Sequence, residues 1–272
     1  MKPLFGTDGI RGEAGKFPLD APTVSAIGYS LARHLSKTTD NPEIVIGRDT
    51  RESGEWIECA MIDGATRAGA ECLSAGVITT PGVAFLTRHL HADAGVVISA
   101  SHNPYQDNGI KIFAPSGEKM DDSVERVIES DIHAGVSQEH PSTDAKSPSP
   151  EQEEELQQQY LAFLRDQIGE GLELHGLKIV IDCANGASSN LAPPLFERLG
   201  AQTIAINATP DGRNINLNSG SLHIDSLRER VVKEKADLGV AFDGDADRSL
   251  FIGEKGNFVD GDATLWVLAN YL

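Results

Sequence analysis

The sequence predicts an α/β fold in two consecutive domains, followed by the opening of a truncated third. Three observations carry this. Short apolar runs alternate with segments of helical spacing along most of the chain. A stretch rich in Ser, Pro, Gln and Glu over 135–154 interrupts that alternation, after which the rhythm begins again. A length of 272 residues suits about two domains at roughly 150 residues each. The expected boundaries are 1–134, a linker at 135–154, 155–254, and 255–272 as the start of the third domain.

In the first domain, Glu43 to Gly47 reads as a buried strand around the apolar run Ile44-Val45-Ile46. Ile57, Ala60, Met61, Gly64, Ala65 and Ala68 then follow helical spacing. Cys72 to Ile78 reads as a second strand, ended by Thr80-Pro81-Gly82. Ala94 to Ile98 is a third. Ile110 to Phe113 is a fourth, entered through the turn signal Asp107-Asn108-Gly109. Val124, Val127, Ile128 and Ile132 mark an amphipathic helix. In the linker, Ser147-Pro148-Ser149-Pro150 cannot continue a helix.

A helix resumes near Glu153 and carries Leu156, Tyr160, Leu161, Phe163 and Leu164. Strands follow at 177–181, 202–206 and 238–242, with helices through 191–199 and 227–232 between them. The two domains share a rhythm but no residue-level repeat. Residues 263–272 read as an amphipathic helix whose apolar side needs a partner, which is why a truncated third domain is expected.

The formal charge of −18, from 41 acidic and 23 basic residues, argues against nucleic acid and against an anionic membrane surface as partners. Cys59, Cys72 and Cys183 are widely spaced, which fits reduced cytosolic thiols rather than a disulfide framework. No apolar run approaches ~18 residues and the start lacks a signal-peptide pattern, so a cytoplasmic protein is expected.

Two elements carry chemistry. The buried run 96–98 ends in Ser99-Ala100-Ser101-His102-Asn103-Pro104. A serine hydroxyl becomes a useful nucleophile only with help from a base or a cation. His102 is adjacent, and Lys111 follows beyond the Asn-Gly turn. Ser99 is a competing hydroxyl, on the same side as Ser101 if the strand persists that far. A plain polar turn after a strand is the alternative.

The second element is Asp243-Gly244-Asp245-Ala246-Asp247-Arg248. Its three carboxylates can turn around one hard cation such as Mg²⁺, and Arg248 can offer a fork to phosphate. An EF-hand loop is the rival, with Glu254 at its twelfth position. Arg248 stands at its sixth, however, where glycine is needed. A plain acidic surface turn is a further reading. Gly6-Thr7-Asp8-Gly9-Ile10-Arg11-Gly12 is either a phosphate-facing loop or a pliable start. Gly47-Arg48-Asp49-Thr50-Arg51 lies at a strand end, where Arg48 with Asp49 reads equally as a structural ion pair.

In order along the chain, FGTDGIRG at 5–12, IGRDTR at 46–51, ISASHNP at 98–104, DNGIKIF at 107–113, PDGRNIN at 210–216 and DGDADR at 243–248 resemble the α-D-phosphohexomutase superfamily, most of all its glucosamine branch. The resemblance covers nearly the whole chain. It implies two consecutive α/β/α phosphohexomutase-type domains with mixed sheets, the first with the phosphoserine loop and the second with the metal loop. Ser101 is then the phosphoserine and itself a metal ligand beside Asp243, Asp245 and Asp247. Lys111, Arg11 and His102 belong with the reacting phosphoryl group, and Arg248 binds phosphate and supports the metal loop.

The implied reaction interconverts glucosamine 6-phosphate and glucosamine 1-phosphate through glucosamine 1,6-bisphosphate, with Mg²⁺, in supply of cell-wall precursors. Members of the superfamily have four domains. Domains III and IV, with the sugar-recognition loop and an RxSGTEP-like phosphate clamp, are the missing partners, so this chain alone is expected to turn over poorly. Ser219-Gly220-Ser221-Leu222-His223 departs from the usual Cys-Gly-Ser-Thr-His-like stretch. A phosphomannomutase or phosphoglucomutase of the same superfamily, and a non-catalytic phosphoprotein or binding module, are the other readings.

Overall fold

The computed structural model describes residues 3–136 and 149–271. Most of the expected linker, 137–148, lies outside them. Among the described residues no helix is long and apolar enough to cross a membrane.

The first sheet is built from β1 (Ile10–Glu13), β2 (Glu43–Arg48), β3 (Glu71–Val77), β4 (Ala94–Ile98) and β5 (Asp107–Phe113), in the order β1-β5-β4-β2-β3. Strands β3, β2 and β4 are parallel, whereas β5 runs antiparallel to β4 and to β1. Four helices belong to this unit: α1 (Ala21–Leu35), α2 (Gly54–Arg67), α3 (Thr80–His89) and α4 (Asp122–His133). One face of the sheet packs Ile44, Ile46, Val96 and Ile98 against α1, α2 and α4. The other packs Val45, Ala75 and Val97 against α3 and α5 (Pro150–Phe163).

The helix expected to resume near Glu153 begins three residues earlier, at Pro150. Ser149 caps α5 by accepting from the Gln152 amide, and proline in a first turn forfeits no intrahelical bond. Residues 155–163, expected to open the second domain, lie on the first sheet, with Leu156, Tyr160 and Leu161 buried in its core.

The second sheet joins β6 (Lys178–Asp182), β7 (Gln202–Ile206), β8 (Leu238–Phe242), β9 (Ser249–Gly253) and β10 (Phe258–Val259) in the order β10-β9-β8-β6-β7. Here β7, β6 and β8 are parallel, and β9 is antiparallel to both β8 and β10. Helix α6 (Ala192–Arg198) packs with Ile179, Ile181 and Val240, and α7 (Asp225–Glu234) covers Val180 and Ala241. Phe258 and Val259, expected within a third domain, are the edge strand of this sheet. Helix α8 (Gly261–Tyr271) follows, with Leu265, Trp266, Val267 and Leu268 exposed.

Candidate active site where two loops meet

The serine loop follows from β4, whose five residues are all buried. At Ile98 the strand ends. The Ser101 backbone turns left-handed (φ 51°), and Asn103-Pro104 closes the turn through an Asn103 amide bond to the Ala100 carbonyl. The strand alternation therefore does not extend to Ser101, and the two serines part. The Ser99 hydroxyl donates to Asp49 Oδ2 (2.6 Å) and accepts from the Ser101 amide (2.9 Å). It is committed to structure. The Ser101 hydroxyl crosses to the second domain and donates to Asp243 Oδ2 at 2.7 Å.

The carboxylate loop follows β8 in the same way. Asp243, Asp245 and Asp247 each offer an oxygen, all within 4.8 Å of one another. A left-handed Ala246 (φ 54°) makes the turn. Gly244 is required by contact: a Cβ there would lie 2.5 Å from the Ser101 carbonyl oxygen and 2.9 Å from Asn216 Nδ2.

Two cations balance the acids. Lys111 Nζ lies 2.8 Å from Asp245 Oδ2 and 3.3 Å from Asp247 Oδ2. Arg248 Nη2 lies 2.8 Å from Asp243 Oδ2, 2.9 Å from Ser101 Oγ and 2.5 Å from His102 Nδ1. Burial raises Asp243 above the ordinary aspartate value, with the Asp245 charge adding to it. Asp245 is buried too, but the Lys111 charge and hydrogen bond outweigh burial and hold it below. Burial works against charge on Lys111, yet Asp245 lifts its amine above the usual lysine range.

Asp245 Oδ1 is buried with no hydrogen-bond partner. An unmatched carboxylate oxygen within an all-oxygen cluster suits a hard cation, so the residues fit a metal such as Mg²⁺. The flanking strands β8 and β9 set this loop apart from an EF-hand. Beside it lies a cleft of about 230 Å³, lined by Asp8, Thr80, Lys111, Lys119, Glu125 and Asp247 among others.

Of the residues singled out in the sequence, Ser101, His102, Lys111, Asp243, Asp245, Asp247 and Arg248 come together. Arg11 stands on β1 opposite Gly109, and its ion pair runs to Asp8 (3.6 Å) rather than to the serine or the acids. The glycine-rich start packs closely: a Cβ on Gly9 would meet the Ile110 carbonyl oxygen at 2.2 Å. Arg48 does not pair with Asp49. It pairs with Glu58 at 2.8 Å, and Asp49 takes Arg51 at 2.9 Å.

Sequence reasoning passes over three further residues. Thr80 donates to Asp245 Oδ2 at 2.6 Å, Asn216 binds the Ser101 carbonyl at 2.9 Å, and Arg51 binds the same carbonyl at 3.0 Å. Their partners lie 165, 115 and 50 residues away, and only Asn216 and Arg51 stand in motifs with a visible signal.

Two α/β units that set a serine against a carboxylate cluster define a class, and the comparisons agree with it. Residues 2–139 match the model for phosphoglucomutase/phosphomannomutase alpha/beta/alpha domain I, and residues 158–256 match that for domain II. The chain belongs to the phosphoglucomutase/phosphomannomutase family. Among curated relatives it is 50% identical to a phosphoglucosamine mutase of Solibacter usitatus, across 97% of this chain and 58% of that protein. It is 48% identical to one of Deinococcus deserti, across 96% of this chain and 58% of that protein. It thus spans a little under three fifths of the length of these relatives. A phosphoglucomutase/phosphomannomutase family protein from Burkholderia thailandensis shares the fold, with a TM-score of 0.81 at 24% identity over 98% of this chain and 58% of that one.

Proposed function

We propose that this chain supplies the phosphoryl-carrying serine and the metal loop of a phosphoglucosamine mutase, which interconverts glucosamine 6-phosphate and glucosamine 1-phosphate. The observation that carries the reading is the Ser101 hydroxyl 2.7 Å from Asp243, inside a three-carboxylate cluster with an unmatched buried oxygen on Asp245. The curated relatives at 50% and 48% identity bear that enzyme's name, and this favours an amino sugar as substrate.

In the proposed reaction a phosphoryl group passes between Ser101 Oγ and the oxygens of the sugar by way of glucosamine 1,6-bisphosphate. In transfer to the sugar a sugar O–P bond forms as the Ser101 Oγ–P bond breaks, and the proton of the attacking hydroxyl ends on Ser101 Oγ. In the return the bonds exchange again, and the serine proton ends on the sugar oxygen that leaves. Such transfer rests on positioning and on charge stabilisation. Asp243, Asp245 and Asp247, with an oxygen of Ser101, would hold Mg²⁺, which neutralises charge on phosphoryl oxygens when bound. Arg248, already on Ser101 Oγ, orients the phosphoryl group with His102 beside it. Lys111 meets it from β5, and Arg11 lies next to that strand. Complete turnover draws on the part of the relatives that this chain does not span, including the sugar-recognition loop and phosphate clamp of domains III and IV.

The test is the intact mass of the protein before and after glucosamine 1,6-bisphosphate with Mg²⁺, alongside Ser101→Ala. A gain of one phosphoryl group that the variant lacks supports the reading. A gain that persists in the variant overturns the serine assignment.

A further inference from the structure

We propose that Arg51 and Asn216 are positioning residues that clamp the Ser101 peptide from both domains and so hold its hydroxyl on the carboxylate cluster. The inference rests on the function proposed above. Arg51 has no exposed side-chain surface. Its guanidinium spends one edge on Asp49 and turns the rest on the serine loop, donating to the carbonyls of Ser101 (3.0 Å), Asn103 (2.9 Å), Asp107 (2.9 Å) and Pro104. A buried cation surrounded by four carbonyls of one short loop fixes the path of that loop, because each bond lost leaves a buried charge less satisfied.

From the other side, Asn216 Nδ2 reaches the same carbonyls of Ser101 (2.9 Å) and Asn103 (3.2 Å). The second domain is held there in turn. The Asn216 amide bonds the Ala184 carbonyl, and Gly212 O accepts from the Glu52 amide, one residue past Arg51.

The Ser101 carbonyl is therefore gripped from both domains, while the Ser101 amide is held by Ser99, itself bonded to the Asp49 that pairs with Arg51. This matters because Ser101 is left-handed, a backbone state that costs a non-glycine residue free energy and persists only where the surroundings enforce it. In an extended backbone the hydroxyl would follow the strand and leave Asp243. Neither residue touches the reacting atoms. Both act by setting where Oγ stands.

Amide exchange and phosphoryl uptake, measured on the protein, Arg51→Lys and Asn216→Ala, test this. The Asn103 and Asp107 amides, both bonded within the loop, should exchange about tenfold faster in Asn216→Ala, with those of β4 and β8 unchanged. Uptake at Ser101 from glucosamine 1,6-bisphosphate should slow about tenfold in Asn216→Ala and about 100-fold in Arg51→Lys, as a misplaced nucleophile implies. The half-saturating bisphosphate and Mg²⁺ concentrations should stay unchanged. If Arg51→Lys does not fold, Asn216→Ala decides alone.

Unchanged exchange in the loop overturns the clamp. Faster exchange with unchanged uptake overturns the positioning role, as does faster exchange throughout β4 and β8, which marks general destabilisation. If the unsubstituted protein takes up no phosphoryl group, the functional reading fails, and loop exchange still decides whether the clamp exists.

Discussion

The hydroxyl of Ser101 and the carboxylate of Asp243, 142 residues apart in the chain, share a hydrogen bond of 2.7 Å at the junction of two domains. Both are buried, at 2% and 0% exposure. The bond joins a nucleophile to a metal loop, so changes on either side should be felt on the other.

Asp243→Asn keeps an oxygen that can accept from Ser101 but loses the charge that a divalent ion needs. Mg²⁺ affinity should fall by more than about 100-fold, beyond what loss of a mere supporting group costs. In the unsubstituted protein, Mg²⁺ at 100 times its dissociation constant should add about 2.7 kcal/mol of stability. Thermal melts over a Mg²⁺ titration check both, and an equal rise in the variant refutes the assignment.

Lys111 and Asp245 form a buried pair, with side chains 12% and 1% exposed. Lys111→Met strands a buried carboxylate and should cost about 3 kcal/mol without metal. It also removes a positive charge that competes with a divalent ion, so added Mg²⁺ should restore more stability in the variant than in the parent. Because Asp245 is held below the ordinary aspartate value of 3.8, the pair stabilises the fold above that value and is lost only as pH falls through the lowered one. Denaturant melts at low and neutral pH, with and without Mg²⁺, test this. A variant as stable as its parent without metal counts against it.

Gly244→Ala places a methyl group 2.5 Å from the Ser101 carbonyl oxygen, which neither domain can yield cheaply. Phosphoryl uptake should fall at least about 100-fold, since a shift near 1 Å at a reacting group has that effect. Single-turnover mass spectrometry measures it, and uptake within a few-fold of the parent would show that the loops tolerate separation.

Glu58 gives a pH signature away from the site. Burial raises its carboxyl above the ordinary 4.5, although the Ser74 hydrogen bond and the Arg48 charge pull it down. As pH climbs past the unfolded value, the unfolded chain ionises first, and the folded protein loses stability until Glu58 ionises too. Glu58→Gln has no such proton. Its stability relative to the parent should rise as pH climbs above the unfolded value of 4.5 and stay level below it. A stability difference that does not vary with pH counts against this.

Much of this was legible in the sequence because apolar runs such as Ala94 to Ile98 are buried on both faces, and strand ends carry the reactive residues. Apolar spacing does not reveal α1. Thr23, Ser25, Gly28 and Ser30 are buried along with its aliphatic residues, because α1 meets α2 through small side chains. A Cβ on Gly64 would fall 1.9 Å from the Ser25 carbonyl oxygen, so close approach replaces an amphipathic stripe there. Likewise Ser99 and Ser101 cannot be told apart by alternation, since the left-handed turn that parts them depends on Arg51 and Asn216, partners that no local pattern announces.

The two sheets trace the same path: a parallel trio, then an antiparallel return beside its outer member, with a short edge strand beyond. The return from β4 to β5 carries the serine, and the return from β8 to β9 carries the carboxylates. The edge strand comes from the start of the chain in one sheet and from after the return in the other. The same corner of each sheet therefore carries a different task, one a hydroxyl and the other a set of carboxylates, and the candidate site exists only where those two corners meet.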